Sequence, residues 1–399
     1  MSPDHSRRTL LKSLGGAAGV AATSGLSSAT AASDTVEVNI GYQSRAGRNA
    51  AEQAATAVVR RFNFDALTIE VAPNALDGLR NRPDIRYVER NGTMRAIHHK
   101  PGHDKGGKGG GGGGDTSQTL PWGIDRVDAD VAAANGETGT GADVAIIDTG
   151  IDGDHPDLQA NVGTGKAFVN CRGRNCNNNW SDDNDHGTHC AGIAAGIDNS
   201  RGVVGIGPDI TLHAVKVLDK SGSGSFSDVA AGIQYTADQG WDVGSMSLGA
   251  SSGSQTVKDA CGYAANRGVL LVAAAGNSGP CTDCVGYPAA YEECIAVSAT
   301  TSSDSLASFS STGPEVELAA PGAEIYSTVV GGYDTFNGTS MACPHVSGAG
   351  GQLMANGASN TQARNELASS AEDIGLASNE QGNGLLDVAS ALGLNSSDD

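Results

Sequence analysis

Polar residues with complementary chemistry recur in glycine-rich stretches along the chain. Ser340 lies in the run Gly-Thr-Ser-Met-Ala, directly before a helical run. A serine hydroxyl becomes an effective nucleophile when a neighbouring base removes its proton. His186, in the run Asp-His-Gly-Thr-His, is the type of base that works near neutral pH. Asp148 ends an apolar run, and a carboxylate in that place can hold a histidine in one tautomer.

A fourth residue, Asn277, lies in the run Ala-Gly-Asn-Ser-Gly. Its amide can donate to the oxyanion that forms when a serine attacks a carbonyl, with the backbone N–H of Ser340 as second donor. Each residue alone has a simpler interpretation, as a helix N-cap for Ser340 or a turn residue for Asp148 and Asn277. Together they favour acyl transfer, because the order Asp148, His186, Ser340 is a known catalytic order. A binding protein without activity would lack one of the three.

Apolar runs without polar alternation predict the strands that carry these residues. Such strands are buried on both faces, which predicts a three-layer α/β domain with a mostly parallel central sheet. We predict strands over 142–147, 210–217, 243–248, 268–275 and 294–299, and helices over 186–195, 226–239 and 254–267. Asp148 and Asn277 then fall at the carboxyl ends of strands, where sites form. Pro344 is expected in the first turn of the helix that follows Ser340.

The beginning of the chain contains two segments, residues 1–32 and residues 36–92. Residues 1–32 contain a twin arginine, a weakly apolar stretch and small residues, which is typical of a twin-arginine export signal. The apolar stretch is too short for a transmembrane helix, and a disordered basic terminus is the alternative. Residues 36–92 predict a small α+β unit with strands over 36–42, 66–71 and 85–89 and helices over 49–62 and 75–82.

Residues 93–116 are rich in glycine and predict a flexible linker that contains the processing region. Its histidines could be taken for a metal tract, but no cysteine or carboxylate geometry accompanies them, so a solvated linker is expected. The domain that follows spans residues 117–394, and residues 395–399 form an acidic tail.

The charge of the chain is unevenly distributed. Residues 1–114 carry 15 basic and 10 acidic side chains, whereas residues 115–399 carry 10 basic and 35 acidic ones. The net charge of the whole chain is -20. The two parts are expected to attract each other, and the acidity argues against nucleic acid as a partner. Few lysines and many acids keep a protein hydrated in concentrated salt, which predicts salt adaptation. Ordinary acidic solubility is the alternative.

The eight cysteines are too few for a disulfide-built fold. Cys171 and Cys176 bracket a short insertion and could form a small-loop disulfide. A second pair is expected among three neighbouring residues and the sequence leaves its identity open: Cys281, Cys284 and Cys294. The remaining three are expected to be buried thiols: Cys190, Cys261 and Cys343.

The sequence resembles the subtilases, the subtilisin-like serine peptidases. The runs 148–152, 186–189 and 338–342 look like the active-site signatures of that family, and 245–249 and 275–277 look like its substrate-binding and oxyanion segments. The resemblance spans residues 117–394. It implies a secreted, monomeric endopeptidase that acts on proteins and peptides, with no membrane partner once the signal is removed. A cysteine after the histidine motif, here Cys190, resembles the proteinase K branch of the family. The acidic composition and Cys343 resemble the halolysins.

The resemblance also implies roles for other segments. Residues 36–92 are similar to the inhibitory propeptide of the family, a ferredoxin-like unit that would act as an intramolecular inhibitor and be removed by the enzyme. Two segments would flank a bound peptide, and small residues would leave the first specificity pocket open for a large apolar side chain. The implied substrate-binding residues are Gly222, Ser223, Gly224, Ser247, Leu248, Gly249, Ala274, Gly276 and Gly286, with Phe226 and Val229 in a second apolar pocket.

A structural calcium ion is the last implication of the resemblance. Hard oxygen atoms suit Ca²⁺, and the positions that match the strong site of the family are Gln118, Asp157, Ile197, Asn199, Arg201 and Val203. From the residues alone, Asp152, Asp154 and Asp157 could equally form a solvated acidic loop.

Overall fold

The structure of the protein is a computed structural model that describes residues 35–97, 117–169 and 179–395. Four predicted features lie wholly or mostly outside the described residues: the export signal, most of the linker, the Cys171–Cys176 pair and the acidic tail.

Within the described ranges, no helix combines the length and apolar character that crossing a membrane requires.

Residues 36–90 form a four-stranded antiparallel sheet with two helices. The elements are β1 (Val36–Tyr42), α1 (Arg45–Ala54), β2 (Ala55–Arg61), β3 (Ala66–Val71), α2 (Leu76–Arg80) and β4 (Ile85–Arg90). The sheet order is β2-β3-β1-β4, and the chain order of elements is that of a ferredoxin-like unit. The predicted helix over 49–62 is wrong in its second half. Its Thr-Ala-Val-Val run favours a strand because β-branched residues fit a pleated surface, and β2 pairs with β3 there.

The first residues of the predicted linker are also a strand, β5 (Thr93–Ala96). The strands that follow are β6 (Asp143–Asp148), β7 (Val162–Ala167), β8 (Thr211–Lys216), β9 (Ser223–Ser225), β10 (Val243–Met246), β11 (Leu248–Gly249), β12 (Leu270–Ala274), β13 (Cys294–Thr300), β14 (Val316–Pro321), β15 (Ile325–Val329) and β16 (Gly332–Phe336). The helices that follow are α3 (Trp122–Arg126), α4 (Ala129–Ala134), α5 (His186–Ala195), α6 (Phe226–Gln239), α7 (Gln255–Ala265), α8 (Thr339–Ala355), α9 (Asn360–Ser370), α10 (Ser378–Gln381) and α11 (Val388–Ala391).

A seven-stranded parallel sheet of order β14-β13-β12-β10-β6-β8-β7 forms the central layer. Successive residues of a strand face opposite sides. In β6, Val144 and Ile146 enter the core that contains α5 and α8, and Ala145 and Ile147 enter the core that contains α6 and α7. The three-layer α/β prediction is confirmed, because each face of these apolar strands is covered by helices.

The helix that carries Ser340 starts earlier than expected. Because α8 begins at Thr339, Pro344 lies in its interior and not in its first turn, so that prediction is wrong. Proline has no N–H, and the Ser340 carbonyl four residues earlier loses its helical donor. The hydroxyl of Ser247 donates to that carbonyl at 2.8 Å, and Cys190 Sγ lies 3.4 Å from it. Two neighbouring elements therefore replace the missing hydrogen bond directly beside Ser340.

Candidate active site

Asp148 and His186 meet at the ends of two adjacent elements. Asp148 is the last residue of β6, His186 is the first residue of α5, and both are fully buried. Nδ1 of His186 lies 2.7 Å from Oδ1 of Asp148, and the same oxygen accepts the backbone N–H of Thr149 at 2.7 Å. A carboxylate in this place makes Nδ1 the protonated ring nitrogen, which leaves Nε2 as the basic one.

The loop that precedes α5 is held by buried charges. Asp182 accepts the N–H and the hydroxyl of Thr188 at 3.0 and 2.7 Å, and burial raises the pKa of the Asp182 carboxyl. The fully buried Lys216 donates to the carbonyl of Thr149 and to Oδ1 of Asp183, the latter at 2.6 Å. These contacts tie the loop after β6 to the loop before α5, so the carboxylate and the imidazole are fixed relative to each other.

Ser340 and Asn277 converge on one peptide carbonyl. Ser340 is the second residue of α8, a position where the backbone N–H has no acceptor inside the helix. Its hydroxyl, which has one proton to donate, lies within hydrogen-bond distance of two carbonyl oxygens, that of Ile97 and, at 3.0 Å, that of Ser247. Asn277, three residues after β12, donates through Nδ2 to the same Ile97 oxygen at 3.1 Å. The arrangement presents a hydroxyl and an amide donor to a single carbonyl group.

The chain itself supplies the strand that carries this carbonyl. β5 lies between β9 and β11 in an antiparallel three-stranded sheet. The N–H of Ala96 donates to the carbonyl of Gly222 at 2.9 Å, and the N–H of Ile97 donates to Ser247 at 3.4 Å. The segments 222–224 and 247–249, for which the sequence predicts a flanking role, are therefore the two neighbours of β5.

A cavity of about 500 Å³ lies beside Ile97. Its lining includes Gly276, for which the sequence predicts a place in the first specificity pocket, and Gly249, for which it predicts a place beside the bound peptide. Ala274 is buried in β12, and Gly286 donates its N–H to the carbonyl of Ala275; both lie outside the cavity lining. Two lining carboxylates, those of Asp283 and Glu315, were not predicted from the sequence. No motif marks them, since they come from loops that only the fold brings together.

A profile of the subtilase family matches residues 139–384, well over half of the chain. The chain belongs to the subtilase family. Alkaline elastase YaB of Bacillus sp. (strain YaB) is 40% identical over 345 residues, which cover 86% of this chain and 83% of the relative. Subtilisin DY of Bacillus licheniformis is 45% identical over 280 residues, covering 69% and 99%. Subtilisin E of Bacillus subtilis (strain 168) is 38% identical over 340 residues, covering 84% and 82%. This subtilase is a serine endopeptidase.

A second apolar site of the subtilase lies further along β5. Met94 is fully buried in the core cluster that contains Phe226, Val229 and Leu248. Gly92 allows the close approach, because a Cβ at that position would lie 2.4 Å from the Phe226 ring. The residues predicted to form a second apolar pocket thus surround a side chain of the protein's own N-terminal part.

The residues 36–92 contact the two helices behind the cleft through capping side chains. The Glu89 carboxylate accepts the hydroxyl of Ser254 at 2.7 Å and the N–H groups of Gln255 and Thr256 at 2.9 and 3.0 Å, at the start of α7. Asn91 accepts the N–H of Ser227 at 3.0 Å in the first turn of α6. At each helix N-terminus, where N–H groups have no helical acceptor, a residue of the N-terminal unit thus adds an acceptor to the helix's own N-cap serine.

Two ion pairs join the same surfaces. Arg60 lies 2.6 Å from Asp228, and Arg86 lies 2.8 Å from Asp259. In both pairs the arginine comes from the basic N-terminal part and the aspartate from the acidic part. Burial raises the pKa of the Asp228 carboxyl although Ser225 and Arg60 oppose that shift.

The cysteines fall into two groups in the described residues. Cys281 and Cys284 form a disulfide next to the cavity, which identifies the pair that the sequence left open. Cys294 is a buried thiol whose Sγ lies 3.9 Å from that of Cys261. Cys343 is also a buried thiol; burial raises its pKa to about 11, so it is protonated at neutral pH. Its Sγ lies 3.5 Å from the carbonyl oxygen of Val272 in β12.

The predicted calcium ligands of the subtilase are linked by hydrogen bonds in one place. The carbonyl oxygens of Ile197 and Val203 both accept from Nε2 of Gln118, at 2.9 and 3.4 Å. Asp157 accepts from Nδ2 of Asn199 at 3.0 Å and from the N–H of Val203 at 2.9 Å. The backbone N–H of Arg201 donates to the Asn199 side chain at 2.7 Å.

These groups fit a calcium ion by their chemistry. Nε2 of Gln118 lies between two carbonyl oxygens, a place that a cation could take, while its Oε1 accepts the N–H of Asn199 at 3.2 Å. The amide would have to turn and give up the bond to Asn199 for its oxygen to face a cation there. One carboxylate, side-chain amides and backbone carbonyls are the donors that Ca²⁺ prefers. Tyr333, which the sequence did not indicate, also joins the cluster, since its hydroxyl donates to Asp157 at 2.9 Å.

Proposed function

We propose that this subtilase cleaves proteins with Ser340 as nucleophile, His186 as general base and Asp148 as the group that orients His186. The observation that carries the proposal is the convergence of the Ser340 hydroxyl and the Asn277 amide on the Ile97 carbonyl. Ser340 attacks the carbonyl carbon while His186 takes the hydroxyl proton and passes it to the leaving amine. Asn277 and the Ser340 N–H stabilise the oxyanion, and water then hydrolyses the acyl-enzyme.

Hydrolysis of casein and of a chromogenic peptide anilide tests this assignment. We expect Ser340→Ala to lower turnover by about 10⁴-fold or more, since one missing triad member leaves only binding and oxyanion stabilisation. Circular dichroism of the variant controls for folding. A folded Ser340→Ala protein with wild-type activity would contradict the proposal.

Residues 36–92 are proposed to act as an intramolecular inhibitor that the enzyme itself removes. Three observations support this role: β5 occupies the cleft, Glu89 and Asn91 cap the two helices, and charges of opposite sign face each other. The cleft cannot take another peptide while β5 fills it. Removal of the unit should therefore precede activity on other proteins.

A structural calcium ion is proposed at the cluster around Asp157. The ion would be held by the Asp157 carboxylate, the Gln118 and Asn199 side chains, and backbone carbonyls of 197, 201 and 203. These positions join the beginning of the domain at Thr119, whose N–H donates to the carbonyl of Gly202 at 2.7 Å, to the loop after α5. A cation there would stabilise the fold and take no part in the reaction.

Export by the twin-arginine route, an extracellular location and salt adaptation complete the proposal. The residue order in 1–32 supports the export route, and 35 acidic against 10 basic residues in 115–399 support salt adaptation and a similarity to halolysins. Activity assays in dilute and concentrated NaCl test the last point. We expect higher activity and a higher melting temperature in concentrated salt; equal values in both would contradict it.

A further inference from the structure

We infer that Lys216 is a positioning residue for the proposed catalytic pair, and that its positive charge extends activity to lower pH. The inference rests on the proposed roles of Asp148 and His186 and adds a third side chain to them. Lys216 lies in β8, and its register partner in the neighbouring strand β6 is Asp148. Neighbouring strands lie about 4.8 Å apart, so the backbones of the two residues are adjacent.

The ammonium group of Lys216 bridges the two loops that meet at the site. It donates to the carbonyl oxygen of Thr149, the residue after Asp148. It also donates to Oδ1 of Asp183 at 2.6 Å, three residues before His186. One side chain therefore contacts the loop that follows the carboxylate and the loop that precedes the imidazole.

Thr149 connects the lysine to both members of the pair. Its backbone N–H donates to Oδ1 of Asp148 at 2.7 Å, and its hydroxyl accepts the N–H of Gly187 at 2.9 Å. The same Asp148 oxygen lies 2.7 Å from Nδ1 of His186. A shift of Thr149 would move the carboxylate relative to the start of α5. The contact from Lys216 to the Thr149 carbonyl opposes such a shift.

Stability alone does not explain a lysine in this place. Among the residues that the structure describes, Lys216 is the only buried lysine or arginine. Taking an ammonium group and a carboxylate out of water offsets most of their attraction, so an apolar pair of similar size is often as stable. An apolar side chain would, however, lose both the bridge between the loops and the charge next to the imidazole.

Negative charge predominates around His186 and Lys216. Carboxylates come from the end of β6, from the loop before α5 and from the loop after β8, and they are Asp148, Asp182, Asp183, Asp185 and Asp219. Two exposed cations, Lys220 after β8 and Arg95 of β5, lie in solvent, where salt screens their charges. The buried charge of Lys216 is screened much less.

The neighbouring titratable groups show how burial and this charge act. Burial raises the pKa of the Asp182 carboxyl, and it raises that of the Cys190 thiol in α5 well above its ordinary value, so the thiol is neutral. Burial also opposes ionisation of Asp219, yet hydrogen bonds from Ser221 and the charge of Lys216 lower the pKa of that carboxyl. The lysine thus acts on a carboxylate beyond its direct partner.

A cation beside the imidazole affects the acid limit of the reaction. A protonated ring cannot take the serine proton, so activity is lost when His186 binds a second proton. The surrounding carboxylates favour the protonated ring, whereas a nearby positive charge disfavours it. Lys216 therefore offsets part of the negative charge and keeps the base available at lower pH.

The test is the pH dependence of kcat and KM for a peptide anilide, measured with the matured enzyme at constant salt. Lys216→Met removes the bridge and the charge, so we expect kcat to fall by about tenfold and the acid limb to move up by about one pH unit. Asp183→Asn keeps an oxygen for the lysine and removes a negative charge, so its acid limb should move down by about half a pH unit.

A surface lysine provides the matched control. Lys258→Met makes the same change of charge on α7, where the side chain is 40% exposed, and it should leave the pH profile unchanged.

A double variant separates charge from position. Lys216→Met combined with Asp183→Asn removes one charge of each sign, so its acid limb should return close to the wild-type position while kcat stays low. An acid limb that stays in place or moves the opposite way in either single variant, while the wild-type enzyme hydrolyses the anilide, overturns the inference and leaves the proposed function intact. If Lys216→Met does not fold, the shift in Asp183→Asn decides alone. A wild-type enzyme without anilide activity overturns both.

Discussion

Thr339 sets the orientation of the Asn277 amide. Its backbone N–H and its hydroxyl donate to Oδ1 of Asn277 at 2.9 and 3.0 Å, which leaves Nδ2 directed at the Ile97 carbonyl. The Thr339 hydroxyl accepts in turn the N–H of Gly276 at 3.1 Å, and Thr339 is fully buried. An amide held by two donors needs no reorganisation when an oxyanion forms beside it, which is the condition for strong electrostatic stabilisation.

Replacing Asn277 should therefore lower turnover and leave substrate binding almost unchanged. For Asn277→Leu we expect kcat to fall by about 10²–10³, the magnitude already established for loss of the oxyanion asparagine in subtilisin. Thr339→Val should cost about tenfold through loss of orientation, and Thr339→Ser is the matched control that keeps the hydroxyl. Steady-state kinetics on a peptide anilide separate kcat from KM. A loss that appears mainly in KM would show that Asn277 binds the ground state instead.

The cap that Glu89 forms on α7 should govern release of the N-terminal unit. Glu89→Gln removes a charge next to unpaired N–H groups, an interaction worth about 1–2 kcal/mol in a partly buried place, so release should be about 5–30-fold faster. The lag before activity appears in the purified full chain measures this. Asp77→Asn is the control, because Asp77 is exposed and its ion pair lies within the unit itself. Equal lags for both variants would contradict the role of the cap.

The stability of the enzyme should fall in acid through His345. Its Nδ1 lies 2.8 Å from the Met341 carbonyl, Nε2 has no partner among the described residues, and burial lowers its pKa to about 4. The unfolded histidine takes up a proton near pH 6.5, so the unfolded state binds more protons between about pH 6.5 and 4. The free energy of unfolding therefore has its full value above about pH 6.5 and falls by about 3 kcal/mol as the pH decreases to about 4.

Urea unfolding of the Ser340→Ala protein, which cannot digest itself, tests the His345 prediction across this pH range. His345→Gln removes the titrating group, and its free energy of unfolding should depend less on pH. If both proteins show the same slope between about pH 6.5 and 4, another group carries the acid sensitivity.

Chelation of calcium should destabilise the domain. A ligand at 100 times its Kd adds about 2.7 kcal/mol, which corresponds to a decrease in Tm of roughly 5–10 °C when the ion is removed. The comparison is made with the Ser340→Ala protein at constant ionic strength, with and without EGTA. Asp157→Asn should abolish the difference, since it replaces the carboxylate that the cluster is built around with a neutral amide. An unchanged melting curve on chelation would refute the calcium site.

Long periodic runs and motifs at strand ends were predictable from sequence. The helices 186–195 and 226–239 match α5 and α6 residue for residue, and Asp148 and His186 lie in contact as their chemistry required. These features are local, because apolar periodicity and strand-end position are written in consecutive residues. The strand β2 was missed because a short Ala-Val run satisfies helix and strand patterns alike.

Contacts between distant segments were not predictable. Nothing near Pro344 indicates that Ser247 will satisfy the Ser340 carbonyl, since the replacement donor comes from another element. The same holds for Asp283 and Glu315 at the cavity. The carbonyl that meets the Ser340 hydroxyl is that of Ile97 because of the register of β5. The glycine-rich composition of residues 93–116 gives no sign of that strand.

Covalent labelling of the matured enzyme shows whether Ser340 is the nucleophile. A fluorophosphonate reacts with an activated serine and remains attached, so peptide mapping of the matured enzyme identifies the residue. We predict one adduct, on the peptide that contains Ser340, with activity lost in proportion to labelling and with labelling much slower in His186→Ala. An adduct on a different residue, or an enzyme that is fully labelled at Ser340 and still active, would rule out Ser340 as the nucleophile.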